Sequence, residues 1–323
     1  MFPLHTLRRL SGLAVVIGVA TLAVPPNPAL ASHDHQTTIV SNNSVSDSVP
    51  QKSASVGCPS DMVVVGAGAE IGYTTDEVHI TGIMPNRTGG SVSAYASEDD
   101  DGYLYNWRLT VTAVCASAPP GYEVVSEYHV ATSDPSVAQV ASCPSGKVLL
   151  GGGFDIHINN SGWQVPRNIP DVVANQLFSD AISDSFIVWA HEDEDGTSQL
   201  WVLTAYAICA LPIPGMETVY SADGYYRDDR QSEIAVCPPD KHLLGVGGAV
   251  FPTTGEVSFL SIKPGRYNGE DYVIVKAAED QNGISEDIYQ YQGRWRLDAW
   301  VICAPTVTRP FPWIEPPIPP VAG

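Results

Sequence analysis

Three stretches of the chain align without a gap: Trp107 to Ala116 (WRLTVTAVCA), Trp201 to Ala210 (WVLTAYAICA) and Trp295 to Ala304 (WRLDAWVICA). Successive tryptophans lie 94 residues apart both times. Upstream of each comes a Cys-Pro and an apolar, glycine-rich run: CPSDMVVVGAGAEI from Cys58, CPSGKVLLGGGFDI from Cys143 and CPPDKHLLGVGGAVF from Cys237. A repeat of this length makes the chain three copies of one structural unit, and every later reading must hold for all three. Each copy holds two cysteines. Six cysteines allow fifteen connectivities, but a unit that folds alike three times bonds alike three times. The expected pairs are Cys58 with Cys115, Cys143 with Cys209 and Cys237 with Cys303. Closing loops of this length contributes roughly 4 kcal/mol each in the chain-entropy picture.

The repeat also sets the boundaries. Ser41 stands seventeen residues before Cys58, Ser126 seventeen before Cys143 and Ser221 sixteen before Cys237, so the Ser- and Asn-rich segment from about residue 36 is the lead strand of the first unit rather than a linker. Modules at 36–120, 121–214 and 215–305 follow, with Pro119-Pro120-Gly121 and Pro212-Ile213-Pro214-Gly215 at the joints. A proline-rich, extended tail occupies 306–323.

Side chains alternate faces along a strand. Trp201, Leu203, Ala205, Ala207 and Cys209 therefore share a face, as do their counterparts from Trp107 and Trp295, which reads as core rather than a sugar-stacking row. Phe154, Ile156 and Ile158 alternate with Asp155, His157 and Asn159 in the same way. No amphipathic helix of ten residues is apparent. The expected class is all-β: three tandem disulfide-stapled modules of about five strands, each a small sandwich or barrel. Whether they stand in a row or close around a pseudo-threefold axis is open at this point. The glycine runs suit close backbone approach or a bulge better than a phosphate cradle, because no helix follows them.

Residues 1–31 have the layout of a secretory signal peptide: Arg8 and Arg9, an apolar run too short to span a bilayer, then Ala29-Leu30-Ala31 before Ser32. An exported chain explains six cysteines as disulfides. Removing Arg8 and Arg9 from 16 basic residues leaves 14 against 36 acidic ones, a formal charge of −22. Such a surface disfavours nucleic acid and anionic membranes as partners. The Cys-Pro, Gly-Gly-Gly and Trp-x-Leu-x-Ala-x-Ala-Ile-Cys-Ala elements resemble a repeat of secreted, often actinobacterial, uncharacterised proteins. That resemblance covers nearly all of the chain after residue 31, implies an extracellular β module and carries no catalytic residues. Module 1 departs from it with Gly66-Ala67-Gly68 where module 2 has three glycines.

Chemistry is sparse. There is no Gly-x-Ser-x-Gly elbow, and His79, His129, His157, His191 and His242 neither recur between modules nor show paired metal-ligand spacing. What recurs is an acidic loop: SEDDDG, HEDEDG and AEDQNG, ending at Gly102, Gly196 and Gly283. Residues two apart share a side, so the candidate cation ligands are Asp99 with Asp101, Asp193 with Asp195, and Asp280 with Asn282, half of a calcium loop of the EF-hand kind. A solvated hairpin turn and a hydrolytic carboxylate pair are the competing readings. Trp163, Trp189 and Trp300 are candidate ligand-stacking residues, and Tyr225, Tyr226, Tyr289 and Tyr291 also lie outside the core pattern; packing between modules is the equal alternative for them. The expected function is a secreted, lectin-like, non-enzymatic binding or surface-assembly protein with a carbohydrate or partner protein as ligand and calcium as the one candidate cofactor. The alternatives are a secreted hydrolase using the acidic-loop carboxylates and a purely structural spacer.

Overall fold

The computed structural model describes residues 37–72, 77–99, 102–158, 171–193, 196–253, 255–280 and 293–305. The expected signal peptide and tail, together with Asp101, Trp163, Asp195, Asn282, Tyr289 and Tyr291, lie outside them.

Among the described residues every element is a strand, six to a module rather than five. Module 1 supplies β1 (Thr38–Asn43), β2 (Gln51–Gly57), β3 (Met62–Gly72), β4 (Val78–Pro85), β5 (Ser91–Glu98) and β6 (Arg108–Ser117). Module 2 supplies β7 (Glu123–Tyr128), β8 (Ser136–Ser142), β9 (Val148–Ile158), β10 (Val172–Asp180), β11 (Ser185–Glu192) and β12 (Trp201–Ala210). Module 3 supplies β13 (Glu217–Ala222), β14 (Arg230–Val236), β15 (Lys241–Phe251), β16 (Val257–Tyr267), β17 (Glu270–Glu279) and β18 (Arg296–Pro305).

No module keeps a sheet to itself. Strands β1-β6-β3 of module 1 continue into β16-β17-β14 of module 3, β2-β5-β4 of module 1 into β9-β12-β7 of module 2, and β13-β18-β15 of module 3 into β10-β11-β8 of module 2. Each module is thus a sandwich of two three-stranded halves, and each half is completed to six strands by a different neighbour. Three sheets shared cyclically among three modules close a ring, so the arrangement is pseudo-threefold. The inter-module pairings are antiparallel and equivalent: Glu70 faces Ser261 and Ala69 faces Ile262, Asp155 faces Gly82 and Phe154 faces Ile83, Ala249 faces Gln176 and Gly248 faces Leu177. One buried apolar cluster runs through all three modules. The sequence shows the same layering: β3, β9 and β15, next to the axis, are nearly continuous in apolar and small residues and buried along most of their length. In contrast, the edge strand β2 alternates buried and exposed.

The glycine runs form the axis. A Cβ on Gly66 would stand 2.0 Å from the Leu244 carbonyl oxygen, one on Gly151 2.6 Å from that of Val65, and one on Gly245 2.2 Å from that of Leu150. Real Cβ atoms do not approach backbone oxygen so closely, so only glycine lets the three chains meet. Each of these glycines follows a residue that the register skips (Val65, Leu150, Leu244), the bulge anticipated from the sequence. A Cβ on the third glycines, Gly68, Gly153 and Gly247, would run into the carbonyls of Ile262, Ile83 and Leu177 across the sheet junctions. The middle position has no shared task, being Ala67 and Val246 in modules 1 and 3 and, in module 2, the glycine that admits the Phe186 ring. The departure of module 1 from three glycines therefore costs the axis nothing.

All three disulfides form as expected: Cys58–Cys115, Cys143–Cys209 and Cys237–Cys303, with Cα separations of 5.6–5.8 Å. Each ties the turn after an edge strand in one sheet to the central strand of the other half, stapling the sandwich of its own module. Trp107, Trp201 and Trp295 are fully buried in those sandwiches. The indole nitrogens of Trp107 and Trp201 donate to Glu98 (2.7 Å) and Glu192 (3.0 Å), whereas that of Trp295 donates to the carbonyl of Asp228.

Trp300 takes the packing role and not the ligand-stacking one. It does lie on the opposite strand face from Trp295, but it is 1% exposed, donates to the Leu177 carbonyl at 2.7 Å and meets Phe186 edge-on, with centroids 6.1 Å apart. Strand parity says which face a residue takes, not what covers that face. Here the neighbouring module does, and Trp300 is a joint between modules 3 and 2 rather than a ligand platform.

Candidate functional site at the acidic end of the axis

The acidic loops are not hairpin turns. β5 pairs with β2 and β4, whereas β6 pairs with β1 and β3, so the loop between β5 and β6 crosses from one sheet to the other. The loops from β11 to β12 and from β17 to β18 cross in the same way. The described starts of the three loops, Asp99, Asp193 and Asp280, come together at one end of the axis. The first aspartate of each loop is pinned there by its own amide: Asp99 donates to the carbonyl of Glu77 (3.0 Å), Asp193 to that of Asp171 (3.1 Å) and Asp280 to that of Glu256 (2.9 Å).

Asp99, Asp193 and Asp280 line one narrow cavity with Gly255 and with His79, Val173 and Ser258, the second residues of β4, β10 and β16. Oxygens of Asp99, Asp171 and Asp193 all lie within 4.8 Å of one another, and Asp171 is buried. Candidate ligands therefore converge between modules, while the within-loop pairs expected from residue parity each include a residue, Asp101, Asp195 or Asn282, outside the described ones. Asp171 was missed as a site residue, yet a signal for it exists: like its counterparts Glu77 and Glu256, whose carbonyls hold the loop amides, it directly precedes the valine that opens the next strand. Like charges at such a separation repel by about 3 kcal/mol per pair at the effective dielectric of a partly wet site. Three carboxylates there favour an ion of opposite charge, and oxygen ligands suit a hard cation such as calcium.

Two of the histidines stand near this end. His79 is buried in the cavity wall. His191, beside Glu192 on β11, is held neutral by burial, which pushes its imidazole down to about 4. Its ring stacks on Trp189 at 6.3 Å and 13°. Trp189 is 38% exposed and keeps its standing as a candidate stacking surface.

No protein-family model matches this chain, and no curated protein is similar to it. The functional reading accordingly rests on the residues themselves. The first aspartates of the three loops line a single cavity, and the carboxylates close enough to share one ion, Asp99, Asp171 and Asp193, come from modules 1 and 2. Oxygens gathered at one point suit a spherical cation, which has no preferred orientation.

Proposed function

We propose that the chain is a secreted, non-enzymatic binding or surface-assembly protein, and that a calcium ion or similar hard cation at the acidic end of the axis ties module 1 to module 2 in a cavity that Asp280 of module 3 also lines. The observation that carries the cation is the set of Asp99, Asp171 and Asp193 oxygens within 4.8 Å of one another. Calcium holds oxygens at roughly 2.3–2.6 Å, so ligands on opposite sides of one ion are about 5 Å apart. Three disulfides, and no helix among the described residues long and apolar enough to cross a membrane, support an extracellular setting. The half-exposed Trp189 supports a carbohydrate or protein ligand.

Calorimetric titration with calcium, and thermal melts with calcium and then with a chelator, test the cation. Saturating calcium is expected to add about 3 kcal/mol and raise Tm by roughly 5 °C. The Asp99→Asn, Asp193→Asn double variant is expected to lose both the heat of binding and the shift. Equal melts for the wild type with and without calcium would remove the cation from the proposal. A screen against glycans, cell-wall material and secreted proteins, run under the same two conditions, tests the binding role. A hydrolytic activity abolished by Asp193→Asn in a folded protein would replace that role with the enzyme reading.

A further inference from the structure

Module 3 contains a cavity of about 220 Å³ away from the axis, where its edge strand β14 lies over β18. Its wall includes Asp223, Tyr226, Asp228, Gln231, Glu233 and Leu297. The repeat shows what the same place holds in another module. The bridges Asp47–Trp107 and Tyr226–Trp295 are equivalent. Counting from them, Asp223, Tyr226, Asp228, Gln231 and Glu233 stand where module 1 has Ser44, Asp47, Val49, Lys52 and Ala54.

In module 1 that position is filled by the chain's own lysine. The Lys52 side chain is 4% exposed, pairs with Asp47 and carries its ammonium 4.6 Å from the centroid of the Trp107 ring. This is an alkylammonium laid into the mouth of the sandwich with its charge on a carboxylate. Module 2 fills the position with Val137, 4% exposed. In module 3 the lysine is replaced by Gln231, whose amide is turned to the Trp295 carbonyl (2.8 Å). At the same five positions an internally balanced Asp47 and Lys52 have given way to three carboxylates and no cation. Glu233 points inward, accepting from Ser221 at 2.5 Å, and Asp223 accepts from the Tyr226 hydroxyl at 2.8 Å. Leu297 offers an apolar wall for a methylene stem, and Arg230 stands at the same cavity as its one cationic lining residue.

We infer that this cavity is a binding site for a primary alkylammonium group, such as a lysine side chain, which takes from outside the place that Lys52 takes from within in module 1. The inference gives the binding reading a ligand chemistry but uses none of the axial carboxylates, so it is tested in chelator, where the cation site is silent. Intact protein is titrated, with chemical shifts or heats as readout, with Nα-acetyl-lysine methylamide, with a free diamine, and with the Nε-acetylated lysine as control. Saturable binding of the first is expected, with none of the acetylated control. Binding of the diamine alone would assign the site to free amines rather than to a polypeptide and overturn the lysine form.

Glu233→Gln and Asp228→Asn are each expected to weaken binding about tenfold, since each removes one charge from a site that pairs with a cation. The double variant Tyr226→Asp, Gln231→Lys transplants the module 1 pair and is expected to abolish binding while the protein stays folded. Equal binding of acetylated and free lysine, or unchanged affinity in Glu233→Gln, would overturn the inference even if the transplant failed to fold.

Discussion

Gly151→Ala is expected to destabilise the protein by about 3 kcal/mol or more, toward the upper end of what overpacking costs, and to leave little folded material at 37 °C. The added carbon would lie 2.6 Å from the Val65 oxygen and 3.2–3.3 Å from the α-carbons of Gly245 and Gly66. All of these neighbours are backbone, and each belongs to a strand hydrogen-bonded on to further strands, so none can step aside alone. Relief requires the three modules to part at the axis, which loosens the junction pairings and the buried residues packed on them. Gly90→Ala is the control: its nearest contact would be the Thr88 hydroxyl at 3.9 Å, and it is expected to change stability by less than about 0.5 kcal/mol. Urea titration of both variants checks this. A Gly151→Ala protein as stable as the control would mean that the axis is looser than these distances state.

How much of this was legible depended on whether a feature is repeated or relational. Disulfide pairing, burial of Trp107, Trp201 and Trp295, and the bulge at the glycines are properties of one module, and tripling made them easy to read. The destination of a strand is different. The acidic loops carry turn residues, and Gly102 and Gly196 do have positive φ, so a hairpin was the natural expectation. A turn's residues do not reveal whether the next strand joins the same sheet, because sheet membership is set by partners far away in sequence. For the same reason residue parity offers Asp99 its local neighbour Asp101 but does not show that the closed ring also sets it beside Asp193 and Asp171 of the next module. Nor does the strand parity of Trp300 show which module covers it. The amine-sized cavity of module 3 became readable only once the bridges fixed the repeat alignment, showing that Lys52 and Gln231 are counterparts.

Module 2 produced alone, as residues 121–214, is expected not to fold as a monomer. Its two half-sheets end at the axis on β9 and β10, which in the intact chain pair with β4 of module 1 and β15 of module 3. Cut free, each becomes an edge with unpaired backbone groups and apolar neighbours, including Phe154 and Leu177, both buried in the whole protein. The disulfide Cys143–Cys209 would still staple the sandwich, but it cannot cover those edges. Three copies can cover them for one another, because the β9 edge of one copy is the kind of strand that the β10 edge of the next already accepts from module 3. In that pairing Asp155 would face Gln176 and Phe154 would face Leu177, a charge-assisted hydrogen bond beside an apolar contact. Sedimentation of the oxidised fragment is therefore expected to show a trimer or aggregate. A monomer that unfolds cooperatively would show that the edges are stable without partners, and that closure of the ring serves the axial site rather than the fold.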